Sequence, residues 1–373
     1  MALSLTTRFL NFKEKLFAEI TDVPEVLKPS HFTGLDGLRG ISILVVLACH
    51  LAVHTPYIDY FSGDIGVETF FVISGFLITS LLLKEKVKRQ KVSFRNFYIR
   101  RILRIVPVAY LFLLVLMLLN NYLKLNTSAF DFLTAFLYIK NVPFHKYPDW
   151  YTGHFWTLSV EEQFYICFPF FMVTRTNKFI LFAAALIFLL PFMRILGFSN
   201  IGIFYSNRIL HLALFAAITM LGNGTASILV GSLYAILLFK KVITIEKIKG
   251  NYFLAFLLFV IACLVLTKKS PLYVQYWSEF LFPFFIGYVI LLNLKGKNFF
   301  GGILGTRLMV RLGILSYSIY IWQQLFLSEQ AFHLFPFSDN VIVRLLLVFV
   351  VSWLSYTYFE KFFLKYKKHF EKA

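Results

Sequence analysis

The feature that most constrains this chain is its succession of apolar stretches, several close to the 20 residues a helix needs to cross a bilayer. They fall near residues 38–55, 65–83, 102–123, 156–173, 178–196, 225–240, 251–267, 275–293, 312–329 and 341–360. A soluble domain carries charge on roughly a quarter of its residues. Here 15% are charged and 59% hydrophobic, so a soluble reading is excluded. The expected fold is all-α: a polytopic membrane helical bundle of about ten transmembrane helices. Residues 128–139 and 209–221 are also apolar but shorter, and read as re-entrant or interfacial pieces.

Lys and Arg set the expected orientation. Of the 37, 28 fall in one alternating set of connecting segments, which includes both termini; six fall in the other, and Arg39, Arg194 and Arg344 lie within spans. Both termini are therefore expected in the cytoplasm, with the first span running outward. The net charge of +18 does not point to nucleic acid, because the basic residues are scattered in short runs between apolar segments. Residues 1–34 form a cytoplasmic segment in which Phe9, Phe12, Leu16 and Ile20 recur at helical spacing, as in an interfacial amphipathic helix. Charges at Arg8, Lys13, Glu14, Lys15 and Glu19 argue against a signal peptide there. Residues 35–364 make up the membrane domain and 365–373 a basic cytoplasmic tail. Cys49, Cys167 and Cys263 lie in apolar runs without metal-ligand spacing.

Ionisable residues within spans mark candidate sites. In GLRGISILVVLACHLAVH, Arg39 and His50 are 11 residues apart, about three turns and roughly 16 Å along one helix face. A histidine satisfied in the core by a neighbouring helix competes with a catalytic His50. A zinc pair of His50 and His54 lacks a third ligand in sequence reach. In FYIRRILRIVP, Arg101 and Arg104 are i, i+3 neighbours suited to forked bonds with phosphate, or to a membrane anchor. Ser159 and Glu162 in GHFWTLSVEEQFYICFP fit a capping box, which leaves Glu161 free to point inward. Trp156 and Tyr165 read as interfacial aromatics. Glu68 enters the second span on the same side as His50, where a carboxylate can orient an imidazole; a solvated edge residue is the competing reading. The small pair Ser74-Gly75 permits close approach of a helix or ligand.

Six stretches, LDGLRGISILVVLACH, GVETFFVISGFLIT, RRILRIVP, FWTLSVEEQFYICFP, LGILSYSIYIWQQ and LSYTYFEKFFL, occur in order between residue 35 and about 364. Together they resemble the acyltransferase-3 family, integral membrane enzymes that include bacterial O-acetyltransferases of lipopolysaccharide, capsule, peptidoglycan and other surface glycans. The resemblance is to the stand-alone form, without a C-terminal esterase-like domain. It implies a ten-span core in a bacterial inner membrane. It also implies acetyl-CoA or another acyl-CoA as co-substrate rather than a bound cofactor, and a surface or lipid-linked glycan as acceptor. His50 takes the essential catalytic role, Arg101 and Arg104 the cytoplasmic CoA side, and Arg39 a related part. Three positions depart from the family pattern: Glu68 stands where Asp is frequent, Gln323 follows Trp322 where His is frequent, and Thr225-Ala226-Ser227 replaces an Arg-x-Asp.

On this reading CoA phosphates bind Arg101 and Arg104, and the pantetheine arm passes Arg39. The thioester then meets His50, whose imidazole takes the acceptor's proton or itself carries the acyl group, with Glu68 or Glu161 holding the tautomer. The rival class is a transporter or flippase for a lipid-linked or acidic solute, its path lined by Arg39, His50, Arg194 and Arg344.

Overall fold

The computed structural model describes residues 5–29, 31–53, 55, 57–60, 62–142, 149–198, 207–219, 224–245, 252–294, 298–327 and 340–370. All the regular secondary structure among them is helical. The order begins with α1 (Leu5–Phe17), α2 (Thr33–Ala52), α3 (Gly63–Arg89) and α4 (Phe94–Leu123). Four short helices follow: α5 (Ala129–Phe136), α6 (Trp150–Gly153), α7 (Phe155–Cys167) and α8 (Pro169–Thr174). Next come α9 (Thr176–Phe198), α10 (Arg208–Ala217), α11 (Thr225–Phe239), α12 (Leu254–Leu266) and α13 (Trp277–Leu294). The chain continues with α14 (Phe299–Leu304), α15 (Arg307–Phe326) and α16 (Val341–Leu354), then a π-helical turn (Ser355–Glu360) and α17 (Lys361–Lys367).

Among the described residues, six helical stretches are long and apolar enough to cross a membrane: Thr33–Ala52, Ile58–Arg89, Phe94–Leu123, Thr176–Leu196, Trp277–Leu294 and Val341–Lys367. They coincide with six of the ten expected spans. The other four differ for identifiable reasons. The stretch 156–173 is two helices, with Pro169 opening the second, where its missing N–H costs nothing. α11 and α12 are apolar but only 15 and 13 residues long. α15 has 20 residues, but Arg307, Arg311, Ser316, Ser318, Gln323 and Gln324 dilute its apolar character. The expected interfacial pieces appear as α5 and α10, and α1 occupies the amphipathic N-terminal segment, with Leu16 packed on the core while Leu10 and Phe12 stay exposed.

Two close helix crossings organise the bundle. A Cβ at Gly75 would lie 1.9 Å from the Ile228 carbonyl oxygen, and one at Gly231 would lie 2.1 Å from that of Val72. α3 and α11 therefore touch backbone to backbone, as small residues allow. α2 and α15 meet likewise: a Cβ at Gly313 would fall 1.8 Å from the Asp36 carbonyl oxygen and one at Gly40 would fall 2.3 Å from that of Met309. One apolar core gathers around α3, α11 and α13; a second gathers around α4, α15 and the start of α7. Between them, α2, α3, α4, α7 and α15 enclose the candidate site.

Candidate active site

These five helices surround a cavity of about 740 Å³. At one end it is lined by Lys28, Lys84, Lys88, Arg89, Arg100 and Lys367, at the end of α3 and the start of α4. Arg39, Arg101, Arg104 and Glu161 line its middle, and Val67, Phe70, Thr157 and Tyr320 its far end. Helix geometry explains the convergence. The i, i+3 spacing turns Arg101 and Arg104 to one face of α4, opposite Arg39 on α2.

The cationic group shares its surroundings with several carboxylates. Arg39 faces the carboxylates of Asp36 and Glu161, but also the like charges of Arg104 and Arg101. Glu161 in turn faces all three arginines. Arg101 lies 5.0 Å above the Tyr165 ring and 6.0 Å from that of Phe97, which fixes its guanidinium plane. Tyr165 is hydrogen-bonded to Ser74, and Ser74 also reaches Glu161. Tyr165, expected at an interface, is therefore a fully buried prop for Arg101. Buried Glu360 accepts from Ser318 at 2.6 Å and adds a further carboxylate near Arg104 and Arg39. Arg100 is committed elsewhere, donating to the Phe370 carbonyl at 2.6 Å and to Glu85 at 3.3 Å. Four carboxylates, Asp36, Glu161, Glu162 and Glu360, stand around these three guanidiniums, and the further cations at the mouth suit a polyanion there.

His50 is not on the cavity wall. Its Nδ1 is 2.7 Å from Gln323 Oε1, and its ring lies 5.5 Å from that of Trp150. An amide oxygen accepts, so Nδ1 donates and Nε2 keeps its lone pair. Trp150 is locked to Gln324 by two bonds, indole Nε1–H to the Gln324 carbonyl at 3.0 Å and Gln324 Nε2 to the Trp150 carbonyl at 2.7 Å. Asp149 caps this short helix by accepting from the Thr152 amide at 2.8 Å.

One buried side chain connects the two places. His154, between α6 and α7, is 5% exposed. Its ring lies 5.6 Å from that of Tyr320, whose hydroxyl shares a 2.8 Å hydrogen bond with Thr157 in the cavity end wall. Burial first, then the His50 imidazole and Lys140, push the His154 imidazole down to about 3.

Arg39, Arg101, Arg104 and Glu161 are thus brought together, and His50 is held apart from the lining by Gln323 and Trp150. Glu68 is elsewhere: it accepts from Ser227 on α11, near Arg194, which pairs with Glu279. The residue that holds the His50 ring is Gln323, in place of the expected Glu68 or Glu161. The proposed cap at Ser159 is also corrected. α7 starts at Phe155, so Ser159 lies inside it, donating to the Phe155 carbonyl at 2.8 Å and accepting from the Lys140 amide at 3.0 Å. Glu162 is left half-buried, with its buried Oε1 unpartnered among the described residues. A capping box does occur, at Ser128 and Asp131. His54 lies outside the described residues. Sequence reasoning missed Gln323, Trp150 and His154. The signal for His154 was present, as an ionisable residue inside an apolar motif.

An acyltransferase-domain family matches residues 32–360, almost the whole of this helical assembly. The chain belongs to the acyltransferase-3 family. Among its relatives, a Bacillus subtilis (strain 168) protein with the provisional name peptidoglycan O-acetyltransferase YrhL is 27% identical over 89% of this chain and 54% of its own length. The O-acetyltransferase OatA of Staphylococcus aureus (strain NCTC 8325 / PS 47) is 31% identical over 42% of this chain and 27% of its own. The chain thus aligns with about half of the first relative and about a quarter of the second. No solved structure matches it.

Proposed function

We propose that this acyltransferase-3 protein is a membrane O-acyltransferase that moves an acyl group, acetyl in the first instance, from cytoplasmic acyl-CoA to a hydroxyl of a surface or lipid-linked glycan. The observation that carries this reading is the cavity: Arg39, Arg101 and Arg104 line it, it is basic at one end, and its lining residues Thr157 and Tyr320 bond to His154, on which His50 acts electrostatically. The guanidiniums suit the phosphates of CoA. The part lined by Val67, Phe70, Thr157 and Tyr320 suits a pantetheine arm. His50 Nε2, bare when Nδ1 donates to Gln323, suits a general base for an incoming hydroxyl. On this reading α7–α8, α11, α12 and α15 would supply the four crossings beyond the six long helices. The bias of Lys and Arg supports a cytoplasmic side for both termini and the basic mouth, and the reading sets the chain in a bacterial inner membrane. The name of the Bacillus subtilis relative favours peptidoglycan as the acceptor class.

The reaction balances as a simple acyl transfer. The acceptor oxygen bonds to the acyl carbon as its proton passes to His50; the carbon–sulfur bond breaks, and the CoA thiolate recovers that proton. The transporter reading needs Arg39, His50, Arg194 and Arg344 along one path. Arg194 instead pairs with Glu279 beside Glu68, and neither it nor Arg344 lines the cavity.

The test is transfer of label from acetyl-CoA to an added glycan acceptor by the purified protein in proteoliposomes. His50→Ala is expected to remove transfer by at least about 10²-fold, and Arg104→Ala to weaken acyl-CoA use. Full activity in the His50 variant would overturn the reading.

A further inference from the structure

His154 has no role in the reaction as written above, yet its surroundings are hard to explain by packing alone. Its ring is walled by Phe112 at 5.3 Å, Phe155 at 4.9 Å and Tyr320 at 5.6 Å. Neither Nδ1 nor Nε2 has a hydrogen-bond partner among the described residues. A buried polar atom left without a partner costs about 1–3 kcal/mol. A leucine or phenylalanine would fill the same space without that cost. The backbone here is well satisfied: the His154 carbonyl accepts from Thr157 Oγ1 at 2.9 Å and from the Tyr320 hydroxyl at 3.3 Å. Only the imidazole is unused.

Its position is specific. Tyr320 and Thr157 line the cavity and both bond to the His154 carbonyl, and the His50 imidazole is close enough to act electrostatically on the His154 ring. The groups whose charge acts on the ring, His50 and Lys140, both oppose a positive charge on it. The ring is therefore neutral. A neutral imidazole always carries one N–H, a hydrogen-bond donor that brings no net charge into an apolar site.

We propose that His154 is a second catalytic residue, donating its N–H to the acyl carbonyl oxygen as negative charge develops there during transfer at His50. This rests on the acyl-transfer reading above. As the acceptor oxygen attacks, the carbonyl π pair moves onto oxygen and is held by the His154 N–H. When the pair returns, the carbon–sulfur bond breaks, and the proton held on His50 passes to the departing thiolate. His154 begins and ends with the same proton. The two imidazoles thus divide the work, with His50 as base and His154 as neutral donor. Donors aimed at a developing oxyanion are worth about 10²–10³ in turnover.

The test compares two near-isosteric replacements in full-length protein in proteoliposomes. His154→Gln keeps an N–H donor, and His154→Met keeps the bulk without it. The expected result is a kcat within about tenfold of wild type for Gln and a loss of about 10²–10³ for Met, with KM for acetyl-CoA and the detergent melting temperature little changed in both. His154→Leu serves as the donorless variant should Met not fold. Equal loss in Gln and Met would overturn the donor role, as would wild-type turnover in Met. The underlying reading is tested separately by wild type and His50→Ala: if wild type transfers label and the His50 variant does not, any failure belongs to the His154 assignment alone. Absence of transfer by wild type would remove both.

Discussion

His50 and Gln323 lie 273 residues apart in the chain and meet Nδ1 to Oε1 at 2.7 Å. The contact joins α2 to α15 at the same pair of helices that Gly40 and Gly313 bring into backbone contact. The close crossing lets the short amide reach the imidazole.

Gln323 is therefore expected to position His50. Gln323→Leu should lower kcat by roughly tenfold or more, about the value of one buried hydrogen bond, while KM for acyl-CoA holds. Gln323→His, which offers a ring nitrogen at the same place, should recover much of the loss. Steady-state kinetics with labelled acetyl-CoA checks both; unchanged kcat in the leucine variant would remove the positioning role.

Arg101 and Arg104 are expected to bind the donor rather than act on the acyl carbon. Arg104→Lys should weaken CoA binding by about tenfold, because an ammonium cannot make the forked bond of a guanidinium. Arg101→Lys should do the same and also lose its stack on Tyr165. Calorimetry with CoA in detergent measures this directly, independent of turnover. The affinity should fall as salt rises.

The α3–α11 crossing should tolerate no side chain. Gly75→Ala places a methyl 1.9 Å from a carbonyl oxygen, so the helices must separate. The expected cost is about 1–3 kcal/mol or more, seen as a lower melting temperature in detergent. Gly153→Ala is the control, since nothing lies within 4 Å of a Cβ there.

Asp131 and Lys140 form a buried ion pair in the segment before α6. Burial alone would raise the Asp131 carboxyl, but hydrogen bonds from Lys140 and Ser128 outweigh it and hold the group below the usual carboxylate range. A carboxyl depressed by folding adds stability above its unfolded pKa of about 4, and that stability is lost as pH falls through the lower folded value. Asp131→Asn should therefore destabilise the protein by about 3 kcal/mol near neutrality, because it strands Lys140. The gap between wild type and variant should narrow only below about pH 4. Melting temperatures across pH test the sign; a gap that widens in acid would contradict it.

Much of the fold and part of the site were legible in the sequence, and the division has physical causes. Long apolar runs register directly, so α2, α3, α4, α9, α13 and α16 were visible. α15 was visible only in part, because its polar residues face protein rather than lipid. Arg39, Arg101, Arg104 and Glu161 could be nominated one by one as costly charges in an apolar context. Their meeting is a tertiary fact. Glu68 was placed with His50 because both lie toward the same end of their helices. Depth along a helix says nothing about azimuth, and Glu68 turns to Ser227 instead. Ser159 matched a capping pattern, but the helix had already begun four residues earlier. Gln323 was noted as a departure from the family pattern, with nothing in the sequence to show that it reaches His50.

The π-helical turn at Ser355–Glu360 has a mechanical consequence. A π turn holds an extra residue within its span, so the chain on either side is offset in rotation, by up to the 100° that one residue represents. It acts as a phase shift between α16 and α17. Upstream, Val348 and Ser352 face the bundle; downstream, Lys367 reaches the cavity mouth, and Glu360 sits at the junction against Ser318. Deleting one residue from the turn would leave a smooth helix of ordinary pitch and rotate its last two turns out of alignment. Composition and hydropathy would scarcely change, yet the mouth of the cavity would lose a cation and the arginine cluster a carboxylate.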